Sequence, residues 1–323
     1  MNRLAAALLW LALLAPAVDA QDGGPVLLVG NKRDDTLTFV DAATFKVLGT
    51  TTTGRGPHEL AVTPDGRTAF VANYEGPGDS LSVVDVDTRK ERRKVPLGPY
   101  RGPHGILVSR DGKTVYVTCE RSRAVVAVDT ATGKVVRAIE TGQEVSHMLT
   151  LTPDGRKLYT ANIGGGTATA IDLAAGKAVA QVRTGAGCEG IDVTPDGKEV
   201  WTANRDADTI SVIATATDEV VATLPCPGTP IRVKVTPDGR RALVSRVGGN
   251  EVTVFDVAGR KEVKRIATGT APVGILVEPS GKRAFVANTA ADKVSVLDLA
   301  TLEVVGTIAA GREPDGLALA APK

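Results

Sequence analysis

From Val26 onward, apolar and polar residues alternate with a period of two in short runs, and the 3.6-residue spacing of an amphipathic helix is absent. Leu60 and Val62 precede the triplet Pro64-Asp65-Gly66, and Phe70 resumes the alternation after it. The triplet recurs as Arg110-Asp111-Gly112, Pro153-Asp154-Gly155, Pro195-Asp196-Gly197, Pro237-Asp238-Gly239 and Pro279-Ser280-Gly281. From glycine to glycine the steps are 46, 43, 42, 42 and 42 residues. Proline presets the first turn dihedral and glycine supplies a positive φ, so each triplet predicts a tight hairpin between short strands.

Each repeat reads as four strands: one before the turn, one after it, a third such as the run from Leu81 toward Val86, and a fourth such as Val135 to Ile139. Four-stranded units of 40 to 45 residues are the signature of β-propeller blades. The second strand occurs seven times, ending at Asn31, Asn73, Cys119, Asn162, Asn204, Arg246 and Asn288. The last first strand, about residues 315–320, has nothing after it, whereas residues 26–51 supply three strands and lack a first. Together they predict one seven-bladed all-β propeller over residues 21–323, closed by pairing the C-terminal strand with the N-terminal ones.

Val115-Tyr116-Val117-Thr118-Cys119 differs by one residue from the Tyr-Val-Thr-Asn core of the YVTN or YncE-like propeller repeats. Residues 69–73, 158–162, 200–204 and 284–288 follow the same pattern, so the chain resembles that family over essentially all of its mature length. The resemblance implies the fold. It leaves the activity open, because relatives include exported binding proteins, lactonase-like enzymes, and the propellers of amine dehydrogenases and haem d1 nitrite reductases.

Composition narrows the setting. Arg3 precedes an apolar run from Leu4 to Ala15, and Val18 and Ala20 occupy signal-peptidase positions, so residues 1–20 read as a signal peptide and the protein as periplasmic or secreted. No later run approaches the ~20 apolar residues of a membrane span. Without the signal, 37 basic and 36 acidic residues remain, which leaves no bulk charge for nucleic acid. Cys119, Cys188 and Cys226 allow either one disulfide and a free thiol or three packed thiols, and packed thiols are the expectation. A monomer is expected.

The chemistry gathers at one repeat position. Aligned at the start of the first strand, the repeats place Asp315, His58, His104, His147, Glu189, Ile231 and Val273 in succession around the ring. First strands line a propeller's channel, so five side chains with metal-binding chemistry should converge at its mouth. His58, His104, His147 and Glu189 are the expected ligands of a divalent transition metal, whether Fe, Cu, Mn or Zn. Glu189, Asp315 and Glu144 are the candidates for moving protons. The loops bordering the histidine repeats are one or two residues longer than their counterparts and carry Tyr74, Glu75 and Glu144. Arg55, Arg101 and Arg312 each stand three residues before a ring member, while Arg246 ends a second strand and Arg205 follows the end of another. These arginines, with Tyr74 and Glu75, form the expected ligand rim, suited to a carboxylate or phosphate. Two functions follow as expectations. One is a metal-dependent hydrolase or lactonase, lyase or oxidoreductase acting on a small polar acid; the other is a non-catalytic propeller presenting its loop face to a small polar ligand or a periplasmic protein.

Overall fold

The alternating runs form strands of six or seven residues, gathered into seven four-stranded antiparallel sheets. This computed structural model describes residues 24–76 and 79–321, and the expected signal peptide lies outside them. The turn triplets join the first strand to the second in six blades, as expected, and in the seventh those two strands are the C-terminal and N-terminal ones. Second and third strands are buried on both faces, as in Thr68–Asn73 and Ser80–Asp85, because each sheet is sandwiched between its neighbours. Outer strands such as Lys177–Arg183 alternate between exposed and covered residues, since one face meets solvent. Between blades the apolar faces interlock: Phe70, Val83, Val115, Val117 and Val126 form one such cluster, and Trp201, Val233, Val244 and Phe255 another. Each large side chain so buried contributes roughly 1.5–3 kcal/mol.

Closure follows the predicted pairing. Pro314–Ala320 joins Val26–Asn31, Thr36–Asp41 and Val47–Thr52 in one sheet, with Val26 opposite Ala320 and Asn31 opposite Pro314. We number the blades from this composite sheet, so blade 2 begins at Pro57 and blade 7 at Pro272. The innermost strands of successive blades pack against one another all the way round.

One irregularity recurs in every blade. The residue before each inner strand, namely Gly56, Gly102, Val145, Gly187, Thr229, Ala271 and Glu313, is left-handed. The strand then starts in register, Pro57 opposite Asn73, but the ladder resumes only at Leu60 opposite Val71. His58 and Glu59 thus face Ala72 alone, a β-bulge that re-aims side chains. The same shift occurs at the head of the other six inner strands.

Two features lay beyond the sequence pattern. Single turns of 3-10 helix at Lys32–Asp34, Glu120–Ser122, Val247–Gly249 and Thr289–Ala291 are too short to show a helical period. The three cysteines are free and buried, and desolvation pushes the thiols of Cys119 and Cys226 up to about 12 and that of Cys188 to about 11.

The turns carry a repeated polar device. A hydroxyl two residues earlier donates to the turn aspartate: Thr63 to Asp65 at 2.6 Å, Ser109 to Asp111 at 2.6 Å, Thr152 to Asp154 at 2.7 Å, Thr194 to Asp196 at 2.7 Å and Thr236 to Asp238 at 2.6 Å. That hydrogen bond, then one from the backbone amide two residues on, lowers all five carboxyls below their usual range. A folded-state pKa below the unfolded one gives stability that is present above about pH 4 and lost as pH falls through the folded values. We expect Thr194→Val to destabilise the protein at pH 7 and to lessen the loss of melting temperature on acidification below pH 4. Identical pH profiles for variant and wild type in calorimetry would contradict this.

Candidate metal site at the channel mouth

The bulge brings two successive residues of each inner strand to the channel. Its first position holds the ring read from the sequence, Asp315, His58, His104, His147, Glu189, Ile231 and Val273, in blades 1 to 7. Its second holds Gly316, Glu59, Gly105, Met148, Gly190, Arg232 and Gly274. Glycine is required at four of these, because a Cβ on Gly105, Gly190, Gly274 or Gly316 would collide with the backbone carbonyl of the next blade's ring residue. A third set follows the second strand, where the chain turns back: Lys32, Tyr74, Glu120, Ile163, Arg205, Val247 and Thr289. The channel mouth is built from these three sets.

The histidines stack in the order of their blades. Ring centroids lie 4.9 Å apart for His58 and His104, and 3.7 Å apart for His104 and His147. Tyr74 packs 4.6 Å from His58 and 5.6 Å from His104, and its hydroxyl donates to Glu120 Oε2 at 2.7 Å. Glu120 Oε1 makes a short contact with His147 Nδ1. Glu120 is buried at 6% exposure, in the first turn after its strand. His104, Glu120 and His147 form a group able to hold a metal ion, with ligand atoms all within 4.8 Å of one another. His104 Nδ1 and His147 Nε2 are buried without a hydrogen-bond partner. Leaving a buried polar atom unpaired costs about 1–3 kcal/mol, so the unsatisfied nitrogen of His104, in a group with Glu120 and His147, fits a site made for a cation.

Arg232 crosses the channel. From blade 6 it reaches Glu59 of blade 2, donating from Nη2 at 2.9 Å and Nε at 3.3 Å to Oε1. Its Nη1 donates to Glu189 Oε1 at 3.1 Å, and Asp315 lies 4.0 Å away. Arg205 holds the other oxygen of Glu189 at 2.9 Å, and Lys32 pairs with Asp315 at 3.3 Å. Four carboxylates, Glu59, Glu120, Glu189 and Asp315, thus meet three permanent cations, Lys32, Arg205 and Arg232. The fourth carboxylate, Glu120, faces the His147 imidazole instead.

Titration follows from these contacts. Burial works against the His147 imidazolium, but the hydrogen bond to Glu120 and the Glu189 carboxylate 3.4 Å from Nε2 outweigh it and raise the pKa. Burial, reinforced by His147 and His58, holds His104 well below the usual imidazole value. His58 is lowered by burial although Asp315 opposes this, and Gly56 O fixes its Nδ1 at 2.9 Å. Burial opposes ionisation of Glu189, yet His147, Arg232 and Arg205 bring it down to about 2. Asp315 is likewise lowered, Lys32 and Arg232 overcoming desolvation. Tyr74 is pushed up to about 12 by burial and by Glu120.

The other residues read from the sequence divide by position. Arg101 pairs with Asp79 at 3.4 Å, Arg312 with Asp34 at 2.6 Å and Glu144 with Arg123 at 2.7 Å, all at the exposed rim. Glu75 is exposed and donates its backbone N–H to Arg55 O at 3.1 Å, while the Arg55 guanidinium makes no hydrogen bond or ion pair among the described residues. Arg246 is turned away from the mouth: buried at 5% exposure, it bonds Glu251, Thr253 and Pro227 O within and beside its own blade. It does there what asparagine does in other blades, where Asn162 donates to Thr167 and Thr169 and Asn204 to Thr209 and Ser211. The sequence reading missed Lys32, Glu59, Glu120 and Arg232. Lys32 and Glu120 share the repeat position of Tyr74 and Arg205, and Glu59 and Arg232 directly follow ring members.

Removing Arg232 would leave buried carboxylates facing one another, so Arg232→Met should cost about 3–5 kcal/mol. Adding Glu59→Met should restore part of it. Denaturant unfolding checks both, and a single variant as stable as wild type would contradict the pairing described here.

Two family models match. Residues 157–283 match the YNCE-like beta-propeller, and residues 26–144 match the Lactonase, 7-bladed beta-propeller family. Among solved structures, a chain of the Kuenenia stuttgartiensis hydrazine synthase shares 27% identity over 88% of this chain and 98% of its own, with a TM-score of 0.78. A functionally unknown protein from Desulfotomaculum acetoxidans DSM 771 shares the fold at 15% identity, over 92% of this chain and 99% of its own, with a TM-score of 0.78. Among curated proteins no match is found. With the two family models falling on successive parts of one closed ring, the chain is a seven-bladed β-propeller that is similar in part to the YNCE-like and in part to the lactonase propellers.

Proposed function

We propose that this protein is an exported propeller that binds one divalent transition metal through His104, Glu120 and His147 and acts on a small polar acid at the channel mouth. The observation that carries the reading is the buried, unpartnered Nδ1 of His104 beside the Glu120–His147 pair. Two imidazoles and a carboxylate suit zinc, iron, manganese or copper, and fewer than four protein ligands leave a position for substrate. When bound, the metal would supply Lewis acidity toward a carbonyl and a readily ionised water.

The chain's own groups have distinct tasks. His58, with Nδ1 held by Gly56 O, keeps Nε2 to accept a proton. Tyr74 orients Glu120 through its hydroxyl and walls the site beside His58 and His104. Arg55, exposed and with a guanidinium unengaged among the described residues, is the rim cation best placed to meet a substrate carboxylate. Glu189 and Asp315 are committed to ion pairs and serve charge balance rather than proton transfer. The lactonase match spans the blades that supply His58, His104 and Glu120, which favours hydrolytic opening of a cyclic ester over the lyase and redox alternatives. Export rests on the N-terminal apolar run; among the described residues no helix is long and apolar enough to cross a membrane.

Chelator-stripped protein dialysed against Zn(II), Mn(II), Fe(II) or Cu(II) should take up about one equivalent of at least one of them, with proton release. His104→Ala and Glu120→Gln should abolish uptake while leaving the melting curve of the stripped protein in place, and His58→Ala should retain it. No metal above trace in the wild type would overturn the reading in favour of a non-catalytic module that binds through its loop face.

A further inference from the structure

Glu189 was expected from its ring position to be a metal ligand, but its surroundings give it another task. Its two oxygens are already held, Oε1 by Arg232 Nη1 at 3.1 Å and Oε2 by Arg205 Nη1 at 2.9 Å. The His147 ring lies between two carboxylates, with Nδ1 against Glu120 Oε1 and Nε2 3.4 Å from Glu189 Oε1. Nε2 is buried and makes no hydrogen bond in this state. In the neutral ring a proton on Nδ1 satisfies Glu120 and leaves Nε2 bare. A cation bound by Nδ1 and Glu120 would displace that proton, and a neutral imidazole must then carry its hydrogen on Nε2, where the one carboxylate at hand is Glu189.

From this geometry we infer that Glu189 is a positioning residue: it accepts the Nε2 hydrogen of His147, fixing the tautomer that turns the Nδ1 lone pair toward the metal, and the two arginines hold it in place for that role. The inference rests on the metal reading of the same site. Metal-binding histidines generally donate their second ring nitrogen to such a partner, and removal of the partner typically lowers metal affinity about 10- to 100-fold. Arg232 adds a further constraint. Because it reaches across the axis to Glu59, Glu189 is tied to the opposite side of the ring as well as to its own blade.

The test uses the full protein loaded with Cu(II), the ion favoured by nitrogen and oxygen donors. Competition with a chelator gives the affinity of wild type, Glu189→Gln and Glu189→Asp, and pulsed electron paramagnetic resonance reads the remote nitrogens of the bound imidazoles. Glu189→Asp keeps the charge that Arg205 and Arg232 require but withdraws the carboxylate from Nε2, so it serves if the glutamine variant fails to fold. The expected result is a fall in affinity of about 10- to 100-fold, with an altered remote-nitrogen coupling and an unchanged set of directly bound atoms. Affinity within twofold of wild type with an unaltered remote nitrogen would overturn the inference. So would loss of a directly bound oxygen, which would make Glu189 a ligand. Failure of the wild type to bind Cu(II) or any other ion of the series would instead remove the metal reading itself.

Discussion

Where each inner strand begins, two residues face one across the ladder, and the chemistry of this protein depends on that bulge. A regular strand would send alternate side chains to opposite faces and give each blade one residue at this level of the channel. The bulge gives it two, and the turn after the second strand adds a third. Every blade uses the same device, including a left-handed residue just before the strand, even where that residue is the β-branched Val145 or Thr229. The left-handed region is unfavourable for such side chains. Ring closure holds the geometry in place, because no inner strand can relax outward without separating from a neighbour on each side.

Packing then decides which blades carry chemistry at the second bulge position. Four are confined to glycine by the carbonyl of the following blade. Blades 2, 4 and 6 carry Glu59, Met148 and Arg232. The Arg232 guanidinium joins nonadjacent blades through Glu59 and Glu189. Buried ion pairs of this kind are weak sources of net stability, but they are costly to break singly, so the Arg232 cluster fixes positions more than it adds energy. Glu189, held between two arginines and His147, gains most from that rigidity.

The fold was legible in the sequence because its signals are local and repeated: the turn triplet, the period-two alternation and the second-strand ending each occur six or seven times. Closure was legible because two incomplete units summed to one. The ring of His58, His104, His147, Glu189 and Asp315 followed from alignment alone. Glu120 did not, since it sits one residue past a strand, in a turn where register gives no sense of direction, and its contact with His147 crosses between blades. Arg232 was hidden for a different reason. Its partners Glu59 and Glu189 lie 173 and 43 residues away, and nothing in the repeat marks a side chain that spans the axis. Arg246 misled in the opposite sense, because its departure from asparagine suggested a ligand contact where it fills the same internal role with a longer side chain.

The central claim is that the bulged ring and the turn beyond it converge His104, Glu120 and His147 on one metal. Anomalous diffraction from crystals of the full protein grown with each candidate ion, recorded at that ion's absorption edge, tests it most directly. The account predicts, for at least one ion, a single strong peak bounded by His104, Glu120 and His147, with Glu189 outside coordinating distance. No peak at the mouth with any ion, or a peak centred on Glu189 or Asp315, would contradict it.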